Sequence, residues 1–373
     1  MKYRILHLLF FLIACLISSE SFAQRSISQY RGRRVPFAKN LKYFSVGGSV
    51  NALNYFGDLA PKGHIASTKI AYTRPGFGIT GTYRIGPQSS VRSSFIWGRL
   101  KGDDFSADPL GEDSRYRYMR NLHFRNDIKE LSVDYIFDLV PHFRTFITRP
   151  RVVPYLFVGV AVFHHNPKAK LPAADFVHAE DLTNPFYIQE NDPRYAGVSP
   201  GEWIALKPLG TEGQYIDGSG VKPYSNWQIA IPFGAGVRYQ LSRYFDLSFE
   251  ISYRQTFTDY LDDVSGYYVN PEDFGTGPQA NLSRLLADRS KEAVAVVSGN
   301  ARRPETYLAN GLHGTYPGQV PAEFGSHNYK PIRGFGHDGL DQNRGRDDWD
   351  VYLVTKVQLT YIIGTNIRNA KFR

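Results

Sequence analysis

The sequence predicts an all-β fold: an eight-stranded up-and-down antiparallel transmembrane β-barrel with two long extracellular loops, the last containing a short helix. Three observations carry this expectation. First, about eight amphipathic strand candidates can be read, and the links between them alternate long and short. The tight links include Gly86-Pro87-Gln88 and Ser242-Arg243-Tyr244, whereas the long ones run over 54–68, 102–121, 166–225 and 258–349. A soluble sandwich has no reason to gather its long loops at one end; an outer-membrane barrel has short periplasmic turns and longer extracellular loops. Second, the strand candidates alternate apolar and polar residues with period two, as walls with a lipid side and a lumen side must. Third, Tyr and Phe number 25 each, a load that suits the two aromatic girdles of a barrel. The competing fold is an aromatic-rich secreted β-sandwich.

Residues 1–23 read as a secretory signal. Lys2 and Arg4 form the charged start, Ile5 to Ile17 the apolar run, and Ser21-Phe22-Ala23 the small-residue cleavage site. Leu12-Ile13-Ala14-Cys15 matches a lipobox loosely, which is the rival reading, but Cys15 lies inside the apolar run and a better cut site comes after it. Cys15 is also the only cysteine, so a chain cut after Ala23 has no disulfide, thiolate zinc site or Cys nucleophile. No later stretch approaches the roughly 18 apolar residues of a membrane helix.

The formal net charge is +9, unevenly spread. Residues 24–40 form a basic arm with Arg25, Arg31, Arg33 and Arg34 and no acid, ahead of a barrel over 41–373. The two longest loops are net acidic. A basic chain invites a nucleic-acid reading, but no motif for it is present and the export signal argues against it.

The strands come in order. Phe44, Val46, Val50 and Ala52 oppose Ser45, Gly47, Ser49 and Asn51; Phe77, Ile79, Tyr83 and Ile85 oppose Gly78, Thr80, Thr82 and Arg84. Val91, Phe95 and Trp97 oppose Arg92 and Ser94; Leu131, Val133, Tyr135 and Phe137 oppose Glu130, Ser132 and Asp134. The run from Val152 to Phe163 is apolar on both faces and ambiguous alone. Trp227 to Leu241 alternates best, with Arg238 on its polar face. Phe245 to Tyr253 turns Asp246, Glu250 and then Arg254 inward, and Leu353 to Ile363 turns Lys356 inward. The inward set thus holds Arg84, Arg92, Arg238, Arg254 and Lys356 against Glu130, Asp134, Asp246 and Glu250. Eight strands leave room only for side chains, and unpaired buried charge is costly. The expectation is a charge-filled scaffold without a diffusion pore. Eight strands also put both termini in the periplasm, where the arm and the connector with Arg144, Arg149 and Arg151 are interaction candidates.

Other motifs weigh less. Gly76 to Gly81 matches a dinucleotide fingerprint, which needs a strand before it and a helix after it; here it lies within an alternating strand. His164 and His165 point to opposite faces of a strand and cannot chelate together. Asp259, Asp262 and Asp263, with Asp58 as a further rim acid, offer oxygen ligands for Ca²⁺. The spacing is not that of an EF-hand loop, so turn capping or arginine pairing is the expectation and no cofactor is assigned. Asn281 to Val297 reads as the short helix. No Ser-His-acid grouping suggests itself, and the chain is read as a non-enzyme.

Several segments together resemble a known group. Asn54-Tyr55-Phe56-Gly57-Asp58-Leu59 follows the first strand, and Arg120-Asn121-Leu122-His123-Phe124-Arg125 precedes the fourth. Pro154 to Gly159 leads to Phe163-His164-His165-Asn166-Pro167; Phe257 to Ser265, Leu286 to Ser290, Arg344-Gly345 and Asp348-Trp349 come next. In this order they resemble the PorG-type outer-membrane proteins of the Bacteroidetes type IX secretion system. The resemblance implies an outer-membrane barrel that associates through its periplasmic side with PorK/PorN-type ring proteins and acts structurally in protein export or gliding. The loops over 166–225 and 258–349 are longer than is usual in that group. The alternatives are a surface receptor or adhesin working through its acidic loops, and an outer-membrane lipid-modifying enzyme.

Overall fold

The computed structural model describes residues 37, 41–60, 72–107, 115–172, 187–290, 292, 294–301 and 344–363. The sequence-predicted signal and the arm residues Arg25, Arg31, Arg33 and Arg34 lie outside them. The strands are β1 (Phe44–Phe56), β2 (Arg74–Arg84), β3 (Ser89–Asp103), β4 (His123–Asp138), β5 (Val152–His164), β6 (Pro167–Lys170), β7 (Trp203–Ala205), β8 (Trp227–Gln240), β9 (Phe245–Thr256), β10 (Val294–Ala295), β11 (Asn300–Ala301) and β12 (Val351–Ile363). Among the described residues two α-helices, α1 (Arg115–Arg120) and α2 (Pro278–Ala287), lie in the second and fourth long links.

The eight long strands close on themselves. Each pairs antiparallel with its neighbour, and β1 pairs with β12, from Phe44↔Ile363 to Phe56↔Val351, so the long strands leave no open edge. This is the up-and-down barrel that the sequence predicts. Closure removes the exposed strand edges that promote aggregation. Strands of 11 to 16 residues meet or exceed the roughly 9–11 that cross a bilayer. No described helix is long and apolar enough to cross a membrane.

Alternation sets the two faces. Ile79 is 66% exposed while Thr80 beside it is 7% exposed. The same swing runs along β3, β8 and β9, so the outer wall is a continuous apolar band. The ambiguous β5 obeys it too: Leu156, Val160 and Val162 face out, while Tyr155, Phe157 and Phe163 are buried. Gly236 shows how the wall admits a large inward ring. A Cβ there would meet the Tyr155 ring at 2.6 Å.

The four long links emerge at one end and the three short ones at the other. The long links carry structure that sequence periodicity did not reveal. β6 and β7 form a hairpin that extends β4, with Arg125↔Lys168 and Lys168↔Ala205 in register. Leu171, Ile188, Leu206 and Leu209 of the third link pack with Leu282, Leu285 and Leu286 of α2 as a small second core. The expected helix over 281–297 is corrected: it starts at Pro278 and ends at Ala287, and Asp288 is extended. Arg289 turns its guanidinium onto Glu292 at 2.7 Å, and β10 and β11 then form a hairpin. β-branched Val294, which loses rotamer freedom in a helix, falls in β10, and Val296 opens the turn that follows it.

Candidate functional site

The lumen divides into two layers. Towards the short links it is charged. Arg92 meets Asp134 at 3.0 Å and also contacts Glu250; Lys356 meets Glu250 at 2.8 Å, and the Tyr155 hydroxyl donates to Glu250 at 2.6 Å. Arg254 faces Glu130 at 3.3 Å, and the Tyr352 hydroxyl donates to Glu130 at 2.5 Å. The cavity left among Arg92, Arg238, Asp246 and Glu250 is about 30 Å³, room for roughly one or two waters. Towards the long links the interior is apolar. Leu53, Leu100, Phe124, Ile128, Phe163 and Val354 pack across it, and Leu59, Leu261 and Val264 close over them from the first and fourth links.

The expected charge filling is thus confined to part of the lumen. The charges occupy one half, because Leu53, Ile128 and Val354 share inward faces with the polar and ionic residues of β1, β4 and β12. Two members were missed by sequence reasoning. Asp138 pairs with Arg238 at 3.4 Å, and Arg149 pairs with Asp246 at 2.5 Å. Asp138 is legible afterwards as an inward residue in step with Asp134. Arg84 has no carboxylate partner among the described residues. It donates to the carbonyls of Gly86 (3.0 Å), Pro87 (2.7 Å) and His142 (2.9 Å).

Arg149 therefore changes role. It is 5% exposed and donates to the Ser242 and Arg243 carbonyls at 3.0 and 2.7 Å. It cannot serve as a surface contact, because its guanidinium is consumed inside the short-link end. Arg144 and Arg151 of the same connector are exposed.

At the other end, all four long links converge on a buried polar cap. Arg120 makes a bidentate contact with Asp104 (2.7 and 2.8 Å) and donates to the Asp58 carbonyl at 3.0 Å. Asp58 accepts from the Arg346 amide at 2.8 Å and from its guanidinium at 3.1 Å. Asp262 accepts from the backbone of Leu59 at 3.2 Å and of Val264 at 3.0 Å. Asp263 accepts from Thr211 at 2.5 Å and Tyr224 at 2.6 Å, whereas Asp259 accepts from Ser265 at 2.6 Å. Arg344 joins Glu212 at 3.0 Å to the Ala287 carbonyl at the end of α2. The rim aspartates point to different partners, and among the described residues no three potential metal ligands converge.

The Tyr55 hydroxyl lies 2.6 Å from Asp262 and 2.8 Å from Asp350. A phenol has one proton to donate, so satisfying both contacts requires a proton on one carboxyl. Burial is the main cause and favours this. It pushes the Asp262 carboxyl up to about 8 and that of Asp259 up to about 10, and raises Asp350 well above the usual range. Asp263 is raised to about 6, again by burial, with Arg344 opposing.

His165 is buried, donates from Nε2 to the Ser225 carbonyl at 3.0 Å and stacks on Tyr224 with ring centroids 5.8 Å apart. His164 is half-buried on the other face against Trp227 at 5.2 Å. The two histidines do not meet over a common ligand.

The profile of a domain of unknown function (DUF6089) matches residues 37–180, which includes β1 to β6. No curated protein matches the sequence. Among solved structures, Ail, the attachment invasion locus protein of Yersinia pestis, solved with the heparin analogue sucrose octasulfate, is 8% identical. The match covers 86% of this chain and 97% of Ail, with a TM-score of 0.29. Neisserial surface protein A is 9% identical over 85% and 96%, with a TM-score of 0.31. The outer membrane protein OprG from Pseudomonas aeruginosa is 9% identical over 88% and 100%, with a TM-score of 0.33. Similarity at this level assigns neither activity nor partner; the barrel itself is established by the strand pairing.

Proposed function

We propose that the protein is an outer-membrane barrel that anchors or organises the periplasmic ring of a type IX protein secretion or gliding machine, without enzymatic activity. The observation that carries this is a closed wall with an apolar outer band around a lumen filled from end to end. Such a wall is matched to lipid, and such a lumen offers neither passage nor a substrate cleft. The signal read at 1–23 supports export, and the ordered PorG-type segments support the machine. In this reading the short-link end faces the periplasm. The arm with Arg25, Arg31, Arg33 and Arg34 then reaches the PorK/PorN-type ring.

The test is affinity capture of the tagged chain from outer membranes in mild detergent, with mass spectrometry of the captured proteins. Ring components should co-purify, be lost when 25–42 is deleted, and be kept when 278–301 is excised. Recovery of no ring component, or loss of function on excising 278–301 while deleting 25–42 does nothing, defeats the anchor. The shared core of the third and fourth links favours a second reading, a surface receptor or adhesin. That reading predicts that excising 278–301 abolishes attachment of cells to their target while export continues.

A further inference from the structure

We propose that the short-link end of the barrel is a docking face for the phosphate groups of anionic phospholipids; this rests on the membrane reading above. The first ground is charge. The three connections at this end, 85–88, 139–151 and 241–244, contain no Asp or Glu. The long links at the other end carry many. The asymmetry runs through all three short connections, not one turn.

The second ground is which cations stay outside. Arg84 and Arg149 turn inward and tie the β2–β3 turn, the 139–151 connector and the β8–β9 turn together through backbone carbonyls. The Arg151 carbonyl accepts from Gln240 at 2.7 Å, so the connector is also pinned beside β8. On this braced framework Arg144, Arg151 and Arg243 are exposed. The carboxylates that flank these connections in the sequence, Asp138 and Asp246, are buried and already paired.

The third ground is the surroundings of these cations. Leu139, Val140, Phe143, Leu241 and Tyr244 are exposed in the same two connections, Phe143 by 63%. They continue the apolar band of the strands past its short-link edge. Arginines interleaved with exposed aromatic and aliphatic side chains at that edge sit where the band meets headgroups. Guanidinium presents paired donors that match phosphate oxygens. An acidic protein would need the cations on a face pointing away from the bilayer; here they share their connections with residues that belong in it. This favours lipid.

The experiment uses the full chain, inserted into nanodiscs of phosphatidylcholine with a minority of phosphatidylglycerol, then extracted in mild detergent for measurement of the lipid that remains bound. Each basic residue near a membrane surface favours anionic lipid roughly fivefold, so an enrichment on the order of tenfold or more is expected. It should fall with added salt and vanish in an R144Q/R151Q/R243Q variant. Should that variant not insert, R144Q alone, at the exposed part of the connector, is expected to reduce the enrichment. Equal retention of both lipids, or enrichment untouched by the substitutions, overturns the proposal. So does displacement by inorganic phosphate, which marks a free-anion site. Loss of acidic-protein capture with unchanged lipid retention also overturns it and makes the face a protein interface. Failure of the wild-type chain to insert, read as absence of heat-modifiable migration, overturns the membrane reading itself, whereas insertion without lipid preference overturns this inference alone.

Discussion

Two carboxylates hold opposite ends of the lumen together, by different physics. Glu250 is ionised among Arg92, Lys356 and the Tyr155 hydroxyl. Removing one member of a buried ionic group leaves the others uncompensated, at about 3–5 kcal/mol. Glu250→Ala should therefore lower barrel stability by about that amount, measured by urea unfolding monitored through heat-modifiable migration. A loss under about 1 kcal/mol would show that water replaces the carboxylate. Asp262 works the other way, because it is buried next to the Tyr55 phenol and Asp350. Its folded pKa, about 8, lies above the usual value near 3.9. The stability it contributes is therefore complete below about pH 4, declines as pH rises, and is gone above about 8. Exchange of the Leu59 and Val264 amides, which donate to Asp262, should quicken between about pH 6 and pH 9 beyond the intrinsic rate, and Asp262→Asn should abolish that excess. Exchange that tracks only the intrinsic rate would refute a proton-linked cap.

The elements divide into barrel strands, whose hydrogen bonds close among themselves, and cap elements, which depend on side-chain packing. α2 is ten residues long, too short to persist alone in water, and it is held by Leu282, Leu285 and Leu286 against the third link. Leu285→Ala should destabilise this unit by about 2–5 kcal/mol. Limited proteolysis in the third and fourth links should accelerate, while the barrel keeps its heat-modifiable migration. Equal loss of both would mean that cap and barrel unfold as one unit. The strands were legible because their period-two pattern is imposed by two different environments on their faces. The extent of α2 was not, because Val294, Val296 and Val297 continue an apolar spacing that fits either a helix or a packed hairpin.

As a whole the molecule is a closed tube, charged inside at one end and apolar at the other. With about 30 Å³ left in the charged half and an apolar plug beyond it, purified protein in planar bilayers should give no stepwise ion currents. A reproducible unitary conductance would contradict the filled lumen. The polar cap adds a second closure in which every long link takes part.

The sequence by itself determined the barrel, its strand order, the end at which the long links gather, and the inward charges. Each is a consequence of local alternation and link length, which residues record one after another. Only the tertiary structure decided the partners. Arg149 turns inward onto Asp246 while Arg144 and Arg151 turn out, yet all three are arginines of one connector and look alike in sequence. The rim aspartates likewise read as turn caps or arginine partners, but which partner each takes was decided only by the fold, which set Asp58 on Arg346, Asp262 on Tyr55 and Asp263 on Thr211 and Tyr224. Burial and long-range pairing between links are properties of the closed tube, and no window of sequence contains them.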